Sequence, residues 1–232
     1  GLWKMDVATF GSWEGFGTLS SKEPGAFFTN AGYESVPAAV ATPRMRYLCE
    51  LQTQIMALWE TGRSDAVTFG LALEYLKQYR PRLLYIALDE TDDFSHARRY
   101  DRYLDGIHVF DRFLEDLWTA LESSPGYRGR TTLILTTDHG RGVKPKDWVE
   151  HGEGIAGSED IWIAIVGPDT PARGDDAPSP AATQSDVAAT LLRFFGLNGR
   201  EFNPQAGPSI AAAFAPSTRS PSAGRRSPAR SH

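Results

Sequence analysis

The chain has 232 residues, of which 41% are apolar and 23% charged, with a net charge of −5. That size and balance suit one α/β domain with a substantial core. They give no footprint for nucleic acid or an anionic membrane surface, and the single cysteine, Cys49, excludes an intramolecular disulfide and a thiolate zinc site.

Asp6 to Phe10 reads as a short strand, ended by the glycine-spaced loop Gly11 to Gly17. Lys4 leads directly into it without a leader pattern, so the start is expected to lie inside a longer protein. Residues 18–41 mix glycine, proline and small residues and read mostly as loop. Pro43 opens a helical pattern to about Glu60, with Met45, Leu48, Leu51, Ile55 and Leu58 at three-to-four spacing and Gly62 as its stop. Ser64 or Asp65 is placed to cap the next helix, which runs to about Tyr79.

Beyond Pro81, Leu83 to Leu88 is a continuous apolar run, the pattern of an interior strand covered on both faces. Asp89 to Ser95 follows as a loop. A long amphipathic helix is expected from about Ala97 to Leu121, with Tyr100, Tyr103, Leu104, Ile107, Phe110, Leu114 and Leu117 on its apolar stripe. Thr131 to Thr136 and Ile161 to Val166 read as further strands. Residues 169–182 form a proline-rich loop, and a helix capped by Thr183 or Ser185 ends at Gly196. After Phe214 the composition turns to serine, proline, arginine and alanine, so residues 215–232 are expected to be a disordered tail on an α/β domain spanning 1–214. No apolar run reaches the length of a membrane span.

The alternation of strand and helix implies a sheet with parallel pairs, and ligand sites on such sheets collect beyond the C-terminal strand ends. Two chemically loaded fragments fall at such ends. One is Asp92 with His96, four residues apart, which a helical turn places on one side. The other is Asp138-His139, which follows Leu133-Ile134-Leu135, with Gly140 and Gly142 permitting the backbone to turn. His151-Gly152 lies in a flexible loop able to carry an imidazole inward. Singly, each has a plain reading: a surface hydrogen-bonded pair, a helix-terminal carboxylate, an exposed loop histidine. Together they supply five candidate metal ligands of mixed oxygen and nitrogen type, a set that suits zinc, manganese or iron better than calcium. His108, at the edge of the apolar stripe, reads as structural, and His232 belongs to the tail.

Asp92-x-x-x-His96, Thr137-Asp138-His139-Gly140 and His151-Gly152, in this order, resemble the alkaline phosphatase superfamily, as does the later stretch Gln184 to Leu192. That group includes phosphomonoesterases, nucleotide pyrophosphatase/phosphodiesterases, sulfatases and cofactor-independent phosphoglycerate mutases. The resemblance implies a three-layer α/β sandwich with a mostly parallel central sheet flanked by helices. It also implies two divalent ions, zinc first, with manganese, iron or calcium as alternatives. By position, Asp92, His96 and His151 are assigned to one ion, and Asp138 with His139 to the second. The implied substrate is a small-molecule phosphate or sulfate ester, attacked by a Ser or Thr, and the implied compartment is periplasmic or extracellular.

One departure accompanies the resemblance. The family's first strand ends in aspartate, with the nucleophile at a later helix start, whereas Asp6 here precedes a strand and Ser12, Thr18, Ser95 and Thr137 do not match that position. The nucleophile is therefore expected upstream of residue 1, and the fragment alone is expected to be an incomplete catalyst. Two alternatives follow: a non-catalytic metal-binding or interaction module, and a phosphotransferase of the mutase kind, for which Arg98, Arg99 and Arg102 are the candidate arginines.

Overall fold

The computed structural model describes residues 4–57, 59–174 and 182–214. They divide into two units, Gly1–Arg128 with His139–Asp160, and Gly129–Asp138 with Ile161–His232.

In the first unit the central strand is β1 (Val7–Gly11), whose residues Ala8 to Gly11 are buried on both faces. It pairs in parallel with β2 (Phe28–Ala31) on one side and β3 (Leu83–Ala87) on the other. A short helix α1 (Phe16–Leu19) follows β1. The main core helices are α2 (Pro43–Gln54) and α3 (Asp65–Tyr79). Pro43 starts α2 without wasting an amide, and the Thr42 hydroxyl accepts the Met45 N–H at 3.1 Å. Ala8, Phe10, Met45, Leu71, Ala72 and Tyr75 then close one apolar core, with the Tyr75 ring edge-on to Phe10 and stacked on Phe28. α4 (Glu90–His96) and α5 (Tyr100–Ser123) complete the unit, with the Phe113 ring of α5 stacked on Phe69 of α3. This is an α/β arrangement, a parallel three-stranded sheet flanked by helices.

The second unit holds β4 (Leu133–Thr136) and β5 (Ile163–Val166), paired antiparallel, then α6 (Gln184–Phe194), α7 (Gly199–Phe202) and a short 3-10 turn, Ala211–Ala213. A capping box of Thr183 and Asp186 begins α6. The Thr190 hydroxyl, fully buried, donates to the Asp186 carbonyl and accepts the Ile210 amide, tying the segment at Ile210 to this helix.

Several expectations change. Phe28–Ala31 lies within the stretch read as loop, yet it is a strand beside β1. The helix from Pro43 stops at Gln54, because Ile55 turns to extended backbone; Ile55 and Met56 are exposed, so apolar periodicity there has nothing to pack on. Leu58 lies outside the described residues. Gly62 is not a helix stop but bridges to Trp13. The Asp89 to Ser95 loop is helix α4, and the long helix starts later, at Tyr100, because Arg98 adopts a left-handed φ of 59° between the two. Within the first unit β3 pairs in parallel with β1, and Tyr85 on it is half exposed. Residues 215–232, read as a tail, lie outside the described residues.

A buried polar network closes the C-terminal end of β1. Ser12 continues the sheet, donating its amide to Ala87 O at 2.9 Å, and its hydroxyl donates to Asp65 Oδ1 at 2.5 Å. Arg63, 1% exposed, donates to Thr68 Oγ1 and to Asn30 Oδ1 and O. These partners satisfy polar groups that would otherwise be costly to bury. Burial, reinforced by the Glu90 carboxylate, pushes the Asp65 carboxyl up from 3.8 to about 7, against the hydrogen bonds it accepts.

Two outcomes test this fold. Leu71 is fully enclosed, so Leu71→Ala should lower the unfolding free energy by about 2–5 kcal/mol in chemical denaturation. Folded Asp65 keeps its proton up to about pH 7, while the unfolded carboxyl releases it near 3.8. The folded state therefore binds more protons between those values, and stability falls as pH rises through that window. Asp93, also raised to about 7 by burial and the carboxylates around it, acts in the same direction. Asp65→Asn should flatten that pH dependence in part; an unchanged slope of the denaturation midpoint against pH would contradict the assignment.

Candidate metal centre

α4 springs directly from the end of β3: Ala87 closes the strand and Asp89 is the N-cap residue. One helical turn then separates Asp92 from His96, and His96 Nε2 lies 3.2 Å from Asp92 Oδ2. Both side chains face the same place, as their spacing predicts.

The opposite wall is the loop from His139 to Asp160. It folds back on itself through the Gly140 amide to Ser158 O at 2.8 Å, and Gly142 to Glu150 O at 3.1 Å. The two glycines do not supply a left-handed turn. They give room instead: a Cβ on Gly140 would sit 2.0 Å from Gly157 O, and one on Gly142 2.2 Å from Asp147 O. The loop is anchored by buried Val149 and by Trp148, whose ring meets Tyr100 and Tyr103 of α5 edge-on. The result brings His139 and His151 ring to ring, with centroids 3.7 Å apart and planes 10° apart.

The two walls converge on Asp92. His139 Nε2 and His151 Nε2 each lie 3.6 Å from Asp92 Oδ1, and His151 Nε2 lies 3.0 Å from His96 Nε2. Ligand atoms of Asp92, His139 and His151 all fall within 4.8 Å of one another. Such a mixed set of one carboxylate and clustered imidazoles fits a divalent transition ion. Burial, then the neighbouring His139, holds the His151 imidazole below its ordinary range, against the upward pull of Asp92. A depressed pKa keeps this ring neutral, which is the ligating form.

Four of the five residues singled out in the sequence therefore meet in the first unit. His139, assigned by resemblance to a different ion from Asp92, His96 and His151, lies in the same cluster as they do. The fifth, Asp138, belongs to the second unit, where its carbonyl accepts from Gln184 Nε2 on α6. Ser95, read as a helix-capping hydroxyl, is instead inside α4 and bonds back to Thr91 O at 2.7 Å. His108 is exposed on α5, outside the cluster. Arg99 pairs with Asp101 and Arg102 with Asp105 at exposed positions, so these arginines decorate a solvated surface. One member was missed. Arg141, whose side chain is 16% exposed, sets its Nη2 against Asp92 Oδ1. Its signal was its position, two residues after His139 inside the glycine-rich motif.

Comparison with known proteins places the chain in a family. The family model described as Type I phosphodiesterase / nucleotide pyrophosphatase matches residues 21–173, more than half of the chain. No individual curated protein matches. Among solved structures, phosphoglycerate mutase of Leishmania mexicana at low cobalt concentration is similar, with a TM-score of 0.52 at 18% identity over 88% of this chain. The chain spans 36% of that mutase's length.

Proposed function

Because the chain belongs to the Type I phosphodiesterase / nucleotide pyrophosphatase family, we propose that it carries the metal-holding residues of a phosphoester hydrolase acting on a small-molecule substrate. The observation that supports this best is the convergence of Asp92, His139 and His151 within 4.8 Å, with His96 beside them. Asp92, His96, His139 and His151 would hold a divalent ion, zinc first. The resemblance extends the reading to a pair of ions. Ions so placed supply electrostatic stabilisation of a phosphoryl group and lower the pKa of a bound oxygen nucleophile.

The chain's own side chains have separate parts in this reading. Asp92 provides the anionic oxygen on which the imidazoles converge, and His151 stays neutral near pH 7 because its environment disfavours the imidazolium. Arg141 places a permanent positive charge against Asp92, a charge that would also favour an anionic ester. The resemblance places the attacking Ser or Thr ahead of these motifs, and no side chain of the cluster carries that role. Among the described residues no helix is long and apolar enough to cross a membrane.

Zinc bound per chain, measured by elemental analysis after equilibration, tests the cluster. His139→Ala and His151→Ala should weaken binding by more than the roughly 10–100-fold typical of outer-shell changes, whereas His108→Ala should leave it unchanged. Equal zinc in all variants would remove the assignment. Turnover of nitrophenyl phosphate mono- and diesters and of nitrophenyl sulfate tests the activity. Phosphoester hydrolysis lost on chelation and restored by zinc is the expected result. Zinc binding without turnover would favour a binding module, and phosphoryl transfer to an acceptor alcohol in preference to water would favour the mutase kind.

A further inference from the structure

Helix α4 has seven residues, too few to hold itself together in water, and its first turn carries three carboxylates, Glu90, Asp92 and Asp93. Negative charge at a helix start is favoured by the dipole, but the first amides still need acceptors. Asp89, the N-cap residue, supplies none from its own side chain. The acceptor comes from another helix. Asp65 Oδ1 takes the Asp89 amide at 2.9 Å and Oδ2 takes the Glu90 amide at 3.1 Å.

The arrangement is reciprocal. Ser64 stands at the N-cap of α3 without a side-chain cap bond, and the first amide of α3, that of Asp65, is given to Glu90 Oε1 at 3.1 Å. Each helix start is thus capped by a carboxylate from the other. Asp65 is only 6% exposed, and Ser12, which is fully buried, fixes its Oδ1. Ser12 is itself pinned between the strands, giving its amide to Ala87 O and accepting the Arg63 amide. The caps therefore transmit the position of the sheet end to the first turn of α4.

From this geometry we infer that Asp65 is a positioning residue for the metal centre: its carboxyl group fixes the first turn of α4, and through that turn the directions of Asp92 and His96. The inference rests on the reading of Asp92, His96, His139 and His151 as a cation site. Asp65 accepts from Ser12 and from the Asp89 and Glu90 amides, so its effect travels through the helix start. Asn at this position keeps the shape but presents an NH2 group to one of two amides that both need an acceptor.

The test uses the whole 232-residue chain, with amide hydrogen exchange at Asp89 and Glu90 in the metal-free protein and calorimetric titration with zinc. Asp65→Asn should speed exchange at both amides and weaken zinc binding by at least about tenfold, the size of effect seen when support behind a metal's ligands is lost, with far-UV circular dichroism preserved. His151→Ala should weaken zinc binding while leaving those amides protected. If Asp65→Asn releases the amides and still binds zinc like the wild type, the positioning role is overturned and the cation site stands. If the wild-type chain binds no zinc, the site reading fails and the positioning role with it. Should Asp65→Asn not fold, Glu90→Ala removes the return bond alone. A several-fold loss of zinc affinity supports the clamp, and an unchanged affinity overturns it.

Discussion

The candidate site depends on one carboxylate. Asp92 Oδ1 faces His139, His151 and Arg141, while Oδ2 faces His96. Crowding imidazoles and a guanidinium around a single point is unfavourable without negative charge at its centre. Removing Asp92 takes away the anion that faces Arg141 and all three imidazoles. The two walls are ordered by quite different means. One is a short helix held at its first turn, and the other is a loop whose glycines let backbone press on backbone.

This division explains what the sequence could and could not show. Asp92 and His96 were legible because their four-residue spacing carries geometry in itself, and a strand end supplies a location. His139 was legible as a ligand type following an apolar strand. That it would share a cluster with Asp92, and stack on His151, was not, because the fold-back of 139–160 is set by close approaches at Gly140 and Gly142 that no periodicity encodes. Arg141 escaped notice because a lone arginine beside a motif is usually solvated.

The fold shows the same pattern. β1 was legible as a short run ended by a glycine-spaced loop and α3 by its start at Ser64 or Asp65, and both form. β2 is four residues long, and its flanks have loop composition, so only pairing with β1 makes it a strand. Asp65 is the most instructive case. Its place at a helix start suggested a cap for its own helix, yet its carboxylate caps α4 and Glu90 caps α3 in return. Capping residues are visible in sequence; which helix they cap is decided by tertiary structure.

On this reading Asp92 and the imidazoles converging on it hold a divalent cation. An anomalous difference map from a zinc-soaked crystal tests it most directly. A peak is expected within bonding distance of Asp92, His139 and His151, at about 2.0–2.2 Å as for zinc–nitrogen and zinc–oxygen bonds. A map with these side chains ordered and no peak among them, or with peaks only at surface carboxylates, would contradict it.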